Sequence, residues 1–72
     1  MNTDTAILNA LPAHTVVTFV GYENLTYTYT RRDDGRWTGR YTSEQGSLCA
    51  NGVTDTRRVA RALTTAREVR FA

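Results

Sequence analysis

The sequence predicts an α+β domain in α-β-β-β-α order. An antiparallel sheet of three to four strands should carry a long C-terminal helix on one face, with a short helix at the N-terminus. Two observations lead there. Residues 25–30 and 36–42 alternate strictly in character and are separated by Asp33-Asp34-Gly35, the signature of a hairpin. After Thr54, Val59, Ala62, Leu63, Ala66 and Val69 recur at helical spacing over about four turns. At 72 residues the chain is one small domain over residues 1–72.

Taken in order, Thr5 to Leu11 places Ile7, Leu8 and Leu11 on one helical face, and Pro12 ends it. Val16-Val17-Thr18-Phe19-Val20 is β-branched, bounded by Gly21, and reads as a strand with apolar residues on both faces. In the hairpin, a type I turn at Asp33-Asp34 followed by a left-handed Gly35 pairs Arg32 with Arg36. Counting outward sets Tyr27 opposite Tyr41, Tyr29 opposite Gly39 and Arg31 opposite Trp37. This register gathers Leu25 and the four rings on one surface, where the long helix should cover them, and Gly39 leaves room for a ring. Thr26, Thr28, Thr30, Arg32, Arg36, Thr38, Arg40 and Thr42 should share the other, solvent-facing surface. Ser47 to Ala50 reads as a short fourth strand before a turn at Asn51-Gly52. The last helix is expected from Thr54 to about Val69, with Asp55 in its first turn and Arg67 and Arg70 in its last.

The hairpin, together with the segment leading into the last helix, resembles the core of the HicB-like antitoxin family. The matching residues run from Tyr27-Thr28-Tyr29 through Arg32-Asp33-Asp34-Gly35-Arg36-Trp37 and Gly46 to Asn51-Gly52-Val53-Thr54-Asp55-Thr56, then a helix with Ala60, Ala62 and Ala66, about residues 25–69 in all. The resemblance implies a partial double-stranded-RNA-binding-domain-like fold that binds a toxin protein and dimerises. This sequence departs from the family in two places. Ser43-Glu44-Gln45-Gly46 stands where a Pro-rich loop is usual, and Arg57-Arg58 replaces an acidic first helical turn. With no segment after Ala72 to bind DNA, repressor activity is not expected. The added N-terminal helix and strand give the order of a complete double-stranded-RNA-binding domain, in which Arg57, Arg58 and Arg61 would stand for the Lys-rich start of the second helix.

Composition excludes more than it assigns. No apolar run approaches the roughly 18 residues of a membrane span, and Met1-Asn2-Thr3-Asp4 is acidic where a secretory signal would be basic. A cytoplasmic protein with no membrane role is therefore expected, and the sequon at Asn24-Leu25-Thr26 is read as chance. The single Cys49 can form no internal bridge and sits in no metal-ligand spacing. It reads as a small buried hydrophobe, and His14 as a loop residue. Asp33-Asp34 is turn chemistry, and the five glycines build no phosphate loop. No catalytic, metal or cofactor site is expected, and the protein is not read as an enzyme. All nine basic residues besides His14 are Arg, with no Lys, a signature of a GC-rich genome. The net charge of +2 is too small a field to imply nucleic acid by itself.

A core in a chain this short rarely exceeds about 3 to 5 kcal/mol without a staple, which favours completion against a protein partner or a second copy. The expected function is a non-enzymatic interaction module, antitoxin-like or inhibitory. Arg32, Arg36, Arg40, Thr28 and Thr38 on the uncovered sheet surface form its candidate site, because Arg pairs carboxylates bidentately. The alternative is a nucleic-acid-binding module using Arg57, Arg58 and Arg61 with the basic hairpin. A small molecule held between subunits remains a third possibility.

Overall fold

The computed structural model describes residues 3–21 and 24–72. Two helices and five strands occur in the order α1 (Thr3–Asn9), β1 (Val16–Val20), β2 (Thr26–Arg31), β3 (Trp37–Thr42), β4 (Leu48–Thr54), α2 (Thr56–Leu63) and β5 (Arg67–Phe71). The strands form a single sheet of order β4-β3-β2-β1-β5 in which every neighbouring pair is antiparallel. The α+β class is as expected, but the architecture is not. The sheet has five strands rather than three or four, and no long C-terminal helix exists. The order is α-β-β-β-β-α-β, not the α-β-β-β-α of a complete double-stranded-RNA-binding domain.

The expected helix divides at Thr64. There the backbone N–H and the side-chain hydroxyl both donate to the Arg61 carbonyl, at 3.2 and 2.7 Å. A second β-branched residue, Thr65, comes next and disfavours another turn. Beyond it, Arg67-Glu68-Val69-Arg70-Phe71 joins the free edge of β1, pairing Phe71 with Val17 and Arg70 with Thr18. That pairing satisfies the backbone groups of a strand that would otherwise be an edge. Glu68, at φ +54°, falls where the register shifts between Thr18 and Val20. Val69, expected on the helix, belongs to this strand.

The β2–β3 hairpin has the expected register throughout: Tyr27 opposite Tyr41, Tyr29 opposite Gly39, Arg31 opposite Trp37. Gly35 adopts φ +85°, and the Arg32 N–H donates to the Arg36 carbonyl at 2.8 Å. The next hairpin repeats the device, with Gly46 at φ +87° and the Ser43 N–H bonded to the Ser47 carbonyl. Because that turn already closes β3 onto β4, Asn51-Gly52 is not a turn; it pairs with Arg40 and Gly39 inside β4.

One sheet face carries the core. Leu8, Val17, Phe19, Tyr29, Trp37, Val59 and Ala60 are buried there, and Phe19 stacks on Tyr27 at 5.1 Å. On α2 the packed stripe is Thr56, Val59, Ala60 and Leu63, the spacing of one helical face. A hub locks both helices to the hairpin. Thr56 Oγ1 accepts from Trp37 Nε1 and from Arg31 Nη1, each at 3.1 Å. Arg31 also donates to the carbonyls of Gly35 and, at the end of α1, Asn9, while its guanidinium lies 5.4 Å from the Trp37 ring centroid.

Thr56→Val removes the acceptor and strands a buried indole N–H, so urea denaturation should show a loss of about 1 to 3 kcal/mol, with Thr56→Ser close to wild type. A Cβ at Gly39 would meet Tyr29 Cε1 at 2.6 Å, whereas one at Gly52 meets nothing within 4 Å. Gly39→Ala should therefore cost about 1 to 3 kcal/mol, and Gly52→Ala should be close to neutral in the same assay.

Candidate functional site

Among the described residues no element covers the face opposite the core, which is a lattice of hydroxyls. Its rows, read across the strands, are Thr18-Thr28-Arg40-Asn51, Val16-Thr30-Thr38-Val53 and Val20-Thr26-Thr42. Strand propensity places threonine well on such a pleated surface, and the strict period of two in β2 directs Thr26, Thr28 and Thr30 to one side. Thr28 lies directly opposite exposed Arg40, and Thr38 opposite Thr30.

The five residues expected as one sheet patch thus divide. Thr28, Thr38 and Arg40 share the open face. Arg32 lies in the exposed turn region, its Nε 3.3 Å from an Asp34 carboxylate oxygen. Asp34 in turn accepts the Arg36 backbone N–H at 2.9 Å; that bond, followed by Arg32, holds its carboxyl below the usual range. Arg36 instead lines a cavity beside Thr54, Asp55 and Arg58. On α2, Arg57, Arg58 and Arg61 are all exposed, and of these Arg58 lines the same cavity.

That cavity, of about 570 Å³, lies between the start of α2 and the inner surface of β3 and β4. Its floor is made of small residues in register, Gly39 opposite Gly52 and, beside Tyr41, Ala50. The Tyr29 and Tyr41 hydroxyls stand 3.3 Å apart along one wall. Burial, then the hydrogen bond to Tyr41, pushes the Tyr29 phenol well above its usual value, with the Arg58 charge opposing the rise. At the mouth, Asp55 caps α2 by accepting the Arg58 N–H at 2.9 Å. Sequence reasoning missed this site. Its signal was the glycine and alanine spacing of residues 39, 50 and 52, invisible while Asn51-Gly52 was read as a turn.

The β4 edge of the sheet is exposed over Leu48–Val53. Cys49 sits on it as an exposed thiol, contrary to the expectation of burial, because the open edge of β4 leaves nothing to cover it. His14, at φ +72°, is exposed, with Nε2 3.6 Å from an Asp33 carboxylate oxygen. At the other end of the sheet, Ile7, Leu8, Leu63, Val69 and Phe71 line an apolar groove of about 330 Å³. Among the described residues no helix is long and apolar enough to cross a membrane. None of the three or more His, Cys, Asp or Glu side chains needed for a metal ion come together there either. No family model, curated protein or solved structure matches the chain.

The Tyr29 phenol is raised in the folded state, so the contribution to stability of keeping it neutral is complete below the unfolded value of about 10 and is lost as pH rises beyond it. Chemical denaturation should show stability falling above about pH 10, and Tyr29→Phe should flatten that slope.

Proposed function

We propose that this protein is a non-enzymatic interaction module that works by self-association through the edge of β4. One observation carries the reading: Leu48–Thr54 is an edge strand of seven residues, exposed nearly throughout, with no charged residue and no proline. Such a row of unpaired backbone groups is a template for another strand, and edges not meant to pair usually carry charges, bulges or prolines. The opposite edge is guarded by charge, for β5 bears Arg67, Glu68 and Arg70; β4 has one register shift, at Cys49, and from Ala50 to Thr54 its register is regular and uncharged. With one edge open and the other guarded, the natural association is isologous, β4 against the same strand of a second copy, which closes at a dimer. Val53, half exposed at the rim of the threonine face, would lie beside the seam, and Thr28, Thr38 and Arg40 would extend across a joined sheet.

The resemblance to HicB-like antitoxins, in which dimerisation and protein binding are the activity, points to the same class of function. The His14 ring lies beside an exposed turn carboxylate and the Cys49 thiol beside the Ser47 carbonyl, and the reading assigns neither a catalytic part.

Light scattering across a concentration series tests the proposal. The expected result is a species of twice the 8.1 kDa chain mass that Asn51→Lys with Val53→Lys reduces to the single-chain mass without loss of circular-dichroism signal. A wild-type protein that stays at single-chain mass at high concentration, or a dimer indifferent to the two lysines, overturns it.

A further inference from the structure

We propose that the cavity between α2 and the inner face of β3 and β4 binds a small planar organic anion. Four features of the site point that way, and none depends on self-association. At about 570 Å³ the cavity falls within the roughly 300 to 1,000 Å³ typical of small-molecule sites. Its lining carries two guanidinium groups against one carboxylate. Among the described residues the guanidinium groups of Arg36 and Arg58 have neither a hydrogen bond nor an ion pair, and the Asp55 carboxylate is engaged by the Arg58 backbone. Guanidinium forks left open at the rim of a cleft suit a carboxylate or phosphate, which they bind through paired hydrogen bonds.

The third feature is the pair of phenols. The bond between Tyr29 and Tyr41 uses one hydroxyl hydrogen and leaves the other available to donate to an acceptor in the cavity. The fourth is Gly52. Gly39 is required by the Tyr29 ring, but nothing in the fold requires a glycine at 52: a Cβ there meets no atom within 4 Å, and its φ is not in the left-handed region. A glycine inside a strand weakens it, and often marks a place where another group comes close to the backbone. Here that place is the cavity floor, flat between the tyrosine wall and the arginine rim, which is why the ligand is assigned as planar.

The test is a titration of ¹⁵N-labelled protein with benzoate and with phenyl phosphate at constant ionic strength, with benzamide as the neutral control. Saturable shifts centred on the amides of Gly39, Ala50 and Gly52 are expected for at least one anion, with benzamide at least about tenfold weaker. Arg58→Gln should weaken binding by a similar factor. Gly52→Leu should do so by filling the floor while keeping a dispersed spectrum, since its side chain enters empty space. Saturation by benzoate alone identifies the group bound as a carboxylate, and by phenyl phosphate alone as a phosphate monoester. Linear, non-saturating shifts with both anions, equal binding of benzamide, or affinity unchanged in Arg58→Gln overturns the proposal.

Discussion

The Thr56 hydroxyl oxygen is the point on which the two layers of this protein are joined. It sits at the first turn of α2, is buried, and takes hydrogen bonds from a residue of β3 and a residue of β2. Trp37 is the largest fully buried side chain, and its indole N–H can be buried only if an acceptor meets it. Arg31 then shields the same corner by lying over the ring and reaching the last carbonyl of α1, where a cation suits the negative end of a helix. One threonine therefore ties the start of α2, which Asp55 caps, to β2 and β3 and, through Arg31, to the end of α1.

From that anchor the rest of the sheet is constrained by distance. β4 and β5 lie at opposite edges, four steps or about 19 Å apart, and the connection between them contains α2, whose eight residues extend only about 12 Å. A helix this short covers the middle strands and leaves both ends of the inner face thin. At one end the gap is polar and floored by Gly39, Ala50 and Gly52; at the other it is the groove between Leu63, Val69 and Phe71. The polar cavity opens beside the start of α2, at Asp55 and Arg58, and the apolar groove opens where the helix stops at Leu63.

The features legible in the sequence are those that local chemistry decides. The β2–β3 register comes from a period of two and from a turn whose Gly35 must adopt positive φ, so every pair from Thr26 with Thr42 to Arg31 with Trp37 can be counted outward from the turn. The same logic places Thr28, Thr38 and Arg40 on one face. β5 was not legible, because Val69 falls in helical phase with Ala62 and Ala66 while also alternating with Phe71, and only the vacant edge of β1, some fifty residues away in the chain, decides between the two. Arg36 misled for a related reason: alternation assigns a face within a strand, but Arg36 precedes β3, where the turn, not the pleat, directs the side chain.

The asymmetry of the two edges connects fold to function. A meander that ended at β4 would leave β1 and β4 both open, and a sheet with two open edges can grow without limit. Returning the chain as β5 closes the β1 side with a strand that carries two arginines and a glutamate, so growth there meets charge. The β4 side keeps Leu48, Ala50, Gly52 and Val53 with no charge among them. The strand that is exposed to pairing is also the one whose small residues floor the cavity, so any strand laid against it would border the site as well. Small, uncharged residues along β4 suit both proposed roles at once, at the cost of a strand that packs little of its own surface against the core.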